Sequence, residues 1–174
     1  MPELVISAIG RDRPGLVEEV SRCVLDAGLN VADSRMVNLR GRFALLLLGE
    51  GSAEHLAEAR RALSALGVER DLQVAFGSEG GDAAPPAAGL AFRVETYSLD
   101  QPGIVHRTSQ LLHRLGANIE ELETRLESAP FSGDAVFRMR LRVTVPAGVG
   151  PQRLRSELAG LGTELSCDID VEPA

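Results

Sequence analysis

The chain has 174 residues, of which 44 % are hydrophobic and 25 % charged, and a formal net charge of −7. That length can bury one medium core or two small ones, and the composition is ordinary for a soluble globular protein. Neither half is basic, which excludes strong phosphate-backbone binding, so no direct nucleic-acid role is expected.

From the N-terminus, "LVISAIG" is a short apolar, partly β-branched run that predicts a strand. Pro14 follows as a candidate first helical residue, where a missing amide is tolerated. Leu16, Val20, Cys23 and Val24 then recur at three- and four-residue spacing, with Glu18, Glu19, Arg22 and Asp26 opposite, which predicts an amphipathic helix. Gly28 stops it as a C-terminal glycine cap. "NVADSRMVNL" and "RFALLLLGE" read as two strands joined by an Arg40-Gly41 hairpin turn. "AEHLAEARRALSAL" predicts a second helix ending at Gly67, and "DLQVAF" a last strand.

The same order is then written again. Pro14-Gly15 matches Pro102-Gly103, Asp12 falls on Asp100, and Gly28-Leu29-Asn30-Val31 matches Gly116-Ala117-Asn118-Ile119, all at an offset of 88. Leu66-Gly67 matches Leu161-Gly162 at an offset of 95, so a seven-residue insertion is expected at "ESAPFSGD". Two copies of one module follow. Between them "GSEGGDAAPPAAG" lacks apolar periodicity and is dense in Gly, Pro and Ala, a linker signature. The expected boundaries are residues 1–77 for the first domain, 78–90 for the linker and 91–174 for the second domain. In the second copy Ile104, Thr108, Leu111, Leu112 and Leu115 form the helix stripe, and "PQRLRSELAGLG" precedes "SCDIDV". The expected fold class is α+β: two ferredoxin-like βαββαβ domains, each a four-stranded antiparallel sheet with two helices on one face.

The backs of the two sheets differ. "VFRMRLRVTV" alternates so that Phe137, Met139, Leu141 and Val143 face the helices and Arg138, Arg140 and Arg142 face out. The arginine row is either a solvated face or a dock for an acidic partner. In the first module Phe43, Leu45 and Leu47 face in, but Ala44, Leu46 and Leu48 face out. An apolar back face is usually covered, so this one is expected to pack against another sheet, from the other module or a second chain.

Two readings stay open at the strand-to-helix elbows. Asp12 and Asp100 suit helix capping. They equally suit a site in which the aspartate holds an ammonium while free helix amides take a carboxylate, as a zwitterion such as an amino acid would require. Asn30 and Asn118 are either turn asparagines or a donor-acceptor pair beside the next strand. His106 and His113 share a helix face but are too far apart to share a metal, and no histidine sits in a nucleophile motif, so neither a metal site nor catalysis is expected. Cys23 and Cys167 lack metal-type spacing and read as reduced thiols. All 18 basic residues are arginine, which excludes lysine chemistry. The N-terminus has no signal-peptide pattern and "FALLLLG" is too short to span a bilayer, so a cytoplasmic protein without membrane association is expected.

The pattern of strand, "DRPG" or "DQPG", helix, then "GLN" or "GAN" resembles the ACT domain, a ferredoxin-like ligand-binding module of amino-acid metabolism. The resemblance covers nearly the whole chain, twice. A tandem pair without a catalytic domain resembles more specifically the glycine cleavage system transcriptional repressor family, with "NVADSRMVNLRGRFALLLL" as the best local match. The resemblance implies pairing through sheet edges and helices, compatible with a homodimer. It also implies amino-acid binding near the first elbow and the start of the second strand. Carried over residue by residue, that site is Asp12, Arg13, Pro14, Gly15 and Asn30, and Asp100, Gln101, Pro102, Gly103 and Asn118 in the second copy. The implied ligand is a small amino acid such as glycine or serine, with no cofactor. The implied partner is a DNA-binding transcription regulator. Arg13 becomes Gln101, so the two elbows should not be equivalent. The alternative is a ligand-independent protein–protein adaptor.

Overall fold

A computed structural model describes residues 2–77, 88–128 and 134–174. The chain divides into two compact units, one on either side of residues 78–87. The first contains β1 (Glu3–Arg11), α1 (Leu16–Asp26), β2 (Asn30–Leu39), β3 (Arg42–Glu50), α2 (Ala53–Arg70) and β4 (Leu72–Phe76). The second contains β5 (Gly89–Leu99), α3 (Ile104–Arg114), β6 (Asn118–Ser128), β7 (Ala135–Pro146), α4 (Pro151–Leu165) and β8 (Asp168–Pro173). The sheets are antiparallel, with orders β2-β3-β1-β4 and β6-β7-β5-β8. This is the expected α+β, ferredoxin-like βαββαβ arrangement, present twice. Most of the expected linker lies outside the described residues, while Gly89 and Leu90 already belong to β5. The expected insertion also falls mainly outside them, at residues 129–133.

Period-two alternation builds each core. Leu4, Ile6 and Ala8 of β1 and Phe43, Leu45 and Leu47 of β3 point to the helices and are buried. From α1, Leu16, Val20 and Val24 meet them, and from α2, Leu56, Ala59 and Leu63. Removing each of the larger of these side chains from water contributes about 1.5–3 kcal/mol. The second core repeats this with Val94, Met139, Leu141, Ile104, Leu112 and Leu158. Val136 is buried and Phe137 only half-buried, so the inward row of β7 begins less regularly than its alternation predicts.

Helix α1 ends as its sequence requires. Gly28, at φ 78°, donates to the Leu25 carbonyl at 2.9 Å, and Leu29 donates to Val24 at 3.1 Å. This Schellman pair recurs at Gly116 and Ala117, which donate to His113 and Leu112. Gly67 and Gly162 behave differently. Helix α2 runs through Gly67 to Arg70 and α4 through Gly162 to Leu165, correcting the expected stop at Gly67. A Cβ on Gly67 would lie 3.0 Å from the Leu72 carbonyl oxygen, and one on Gly162 would lie 2.6 Å from that of Cys167. These glycines let the following strand turn back tightly against its own helix.

Among the described residues, no helix is long and apolar enough to cross a membrane. Both cysteines are free, and burial pushes the Cys23 thiol up, which disfavours its thiolate.

Candidate functional site

The two elbows connect β1 to α1 and β5 to α3. Pro14 precedes the N-cap instead of opening the helix, since Gly15 is the N-cap at φ 93° and Leu16 the first helical residue. Gly103 repeats this at φ 97°. A side chain at Gly15 would have room, so the left-handed backbone alone calls for glycine there. Neither helix start receives a side-chain cap. The capping reading of Asp12 is therefore overturned. Its carboxylate accepts from Asn38 Nδ2 at the end of β2, and Asn38 Oδ1 accepts the Gly41 amide at 3.0 Å. The Asp12 amide donates to the Gly41 carbonyl at 2.9 Å. Asp100 repeats only the backbone part, donating to Ala135 at 3.0 Å, and it does not cap α3 either. With its aspartate drawn to the β2–β3 hairpin, the helix end keeps its first amides open to an acceptor.

Arg13 grips Glu19 with both guanidinium nitrogens, at 3.0 and 2.7 Å, and Arg70 Nε reaches the same carboxylate at 2.9 Å. Glu19 is only 15 % exposed. The Arg13 hydrogen bonds, with Arg70 beside them, hold its carboxylate below the ordinary range, and Glu19 raises Arg13 in return. This clamp ties the elbow to α1 and to the end of α2. In the second unit Gln101 stands for Arg13 and donates to the Leu165 carbonyl, while Arg107 stands for Glu19 and pairs with Glu164. The same three elements are tied with the charges exchanged. The Arg13-to-Gln101 change was visible in the sequence but its partners were not, although the offset of 88 aligns Glu19 with Arg107.

Asn30 and Asn118 do not join the elbows within a unit. Asn30 pairs with Glu50, which pairs with Glu3, whereas Arg11 and the elbow lie beside Arg42. Eight residue steps separate these rows, roughly 27 Å of strand. Asn118 likewise pairs with Thr144, near the start of β5. So Asp12, Arg13, Pro14 and Gly15 cluster at one end, as do Asp100, Gln101, Pro102 and Gly103, and the asparagines stand at the other.

The units also differ behind the elbows. Thr96, Ser98 and Thr108 are 1 %, 6 % and 0 % exposed, and their hydroxyls have no hydrogen-bond partner among the described residues. The first unit has Ala8, Gly10 and Val20 at these positions. A cavity of about 350 Å³ opens at the second elbow, lined by Gln101, Gly103, Ile104, Val105, His106 and Phe137. On the outer face of the second sheet, Arg140 pairs with Glu95 at 3.1 Å, Arg142 with Glu120 at 3.3 Å, and Arg138 lies over the Tyr97 ring. The arginine row is thus engaged within its own unit, which favours the solvated reading over the acidic-partner one.

Residues 3–77 match the family model described as ACT domain. The chain is 29 % identical over 163 residues to the glycine cleavage system transcriptional repressor of Escherichia coli (strain K12), covering 94 % of this chain and 85 % of that one. A crystal structure of a candidate glycine cleavage system transcriptional repressor has a TM-score of 0.74 and 26 % identity, covering 98 % of this chain and 96 % of that one. The first unit is similar to the ACT domain, and the chain as a whole is similar to a transcriptional repressor. A crystal structure of an unknown protein from Galdieria sulphuraria is also similar, with a TM-score of 0.80, 29 % identity and coverage of 100 % and 99 %. Both units place the elbow on the outside of the fold, where a ligand or another protein can reach it.

Proposed function

We propose that this protein is a tandem ACT pair and a non-catalytic cytoplasmic regulator of transcription of the glycine cleavage repressor kind. It senses a small amino acid and acts by contact with a DNA-binding regulator. The observation that carries this reading is the likeness to a named repressor over 94 % of the chain. The elbows supply suitable chemistry: helix-start amides without side-chain caps for a carboxylate, and Asp12 or Asp100 for an ammonium. Each domain keeps its elbow and its asparagine at opposite ends of the sheet. A ligand that touches both therefore needs a neighbouring ACT edge running antiparallel to β2 or β6. These edge strands are long and exposed, as such pairing requires. Ligand binding then changes partner affinity only by as much as the ligand prefers one state.

Calorimetric titration of a panel of amino acids, glycine and serine included, tests the reading. One small amino acid should bind the wild type. Asp12→Ala, Asn30→Ala or their counterparts Asp100→Ala and Asn118→Ala should weaken it tenfold or more. A panel in which nothing binds rejects the sensor.

One observation favours the ligand-independent adaptor instead. In the first domain Arg13 and Asp12 are already taken by Glu19 and Asn38, so that elbow has internal uses for both side chains. On that reading the regulator is bound equally with and without amino acid.

A further inference from the structure

At the elbow end of the first sheet two arginines stand directly opposite each other. Arg11 closes β1, Arg42 opens β3, and the register pairs them. The alternation that buries Ala8 and Phe43 turns both arginines to the outer face, where both are exposed. Like charges set opposite each other on a sheet destabilise it. Arg40 adds a third guanidinium from the adjoining hairpin turn. Among the described residues none of the three has an ion pair. The acids around them are held elsewhere or lie apart. Asp12 is taken by Asn38, which pairs with the inward Phe43, and Asp33, further along the outer face of β2, lies 3.3 Å from Arg35. Asp71, just ahead of β4, makes no ion pair with them. Leu39 flanks Arg42 in its own row, and the next row holds Val37, Ala44 and Ile9. Leu39 is 64 % exposed, and Val37 and Ile9 are 47 % each. The second unit has no counterpart: Leu99 stands for Arg11 and pairs with Val136.

We propose that Arg11, Arg40 and Arg42 form a docking patch for an acidic segment of a protein partner, with its carboxylates on the arginines and its apolar side chains on Ile9, Val37 and Leu39. A guanidinium fork donates two parallel hydrogen bonds to a carboxylate, the strongest pairing a surface arginine offers. Carboxylates set between Arg11 and Arg42 also relieve the repulsion of that pair, and no existing ion pair has to break. The exposed apolar neighbours favour a peptide over a bare oxyanion, because only the peptide covers them. A nucleic acid fits poorly: its phosphates would approach a chain of net charge −7 through three arginines alone. The patch uses neither the helix-start amides nor Asp12, so it stands whether or not an amino acid binds at the elbow.

Fluorescence anisotropy of a short labelled peptide of alternating glutamate and leucine, titrated with the full chain, tests it, with circular dichroism confirming that each variant is folded. The peptide should bind the wild type, and its counterpart with glutamine for glutamate at least tenfold more weakly. Arg11→Ser combined with Arg42→Ser should weaken binding at least tenfold, and added salt should weaken it in the wild type. Arg114→Ser combined with Arg153→Ser removes the same charge from exposed positions of the second unit and should change the affinity less than twofold. A wild type that does not bind the peptide overturns the proposal. So does binding that survives the loss of Arg11 and Arg42, or that the second-unit variant weakens equally. Binding of inorganic phosphate or a DNA duplex at these arginines in place of the peptide overturns it as well.

Discussion

Thr108 shows how far two copies of one fold can diverge at a single side chain. Its position on α3 matches Val20 on α1, and both face the core. A buried hydroxyl without a partner costs about 1–3 kcal/mol. Thr108→Val, nearly identical in shape, should therefore raise the stability of the second domain by about 1 kcal/mol in chemical denaturation. A loss of stability would mean that the hydroxyl already has a partner, a bound water or a ligand. The site aspartates teach a related lesson. Asp12 two residues ahead of a Pro-Gly pair looks like a cap, and the residue types allow it. What decides against it is Asn38, 26 residues on, which the hairpin brings to the carboxylate. No local pattern announces that contact.

At the scale of elements, the strand and helix order was legible because period-two and helical spacings are strong in both copies and the offset of 88 repeats them. The helix ends were less so. Gly28 and Gly67 look alike in sequence, yet one is a left-handed cap and the other lies inside α2. The difference is tertiary: Gly67 faces the returning β4. The clamp that joins elbow, α1 and α2 was also hidden, because its members are far apart in the chain. It makes a pH prediction. Glu19 has an ordinary pKa of 4.5 and a lower one in the folded protein. Its contribution is therefore full above that ordinary value and is lost as pH falls through the folded one. Glu19→Gln should lower the melting temperature by a few degrees at about pH 7. The gap between variant and wild type should narrow as pH falls below 4.5 and close once Glu19 is protonated in the folded protein. A gap that stays constant with pH would show that packing, not the ion pairs, is what the substitution removes.

For the whole molecule, the repeated sequence gives two units with one topology and two surfaces. The outward residues in the middle of β1 and β3 are uncharged in the first, whereas those of β5 and β7 in the second carry paired charges. That contrast could be read from the alternation in "RFALLLLGE" and "VFRMRLRVTV". The facing Arg11–Arg42 pair needed the strand register, since the two are 31 positions apart in sequence. The separation of the elbow from Asn30 is likewise a fact of topology: β2 starts where β1 starts, at the end opposite the elbow. Amide hydrogen exchange with and without a bound small amino acid tests the sensor most directly. The account predicts slower exchange in the first turn of α1 or α3 together with the start of β2 or β6, two ends of one sheet responding to one ligand. Protection at neither end, or at the elbow alone, contradicts it.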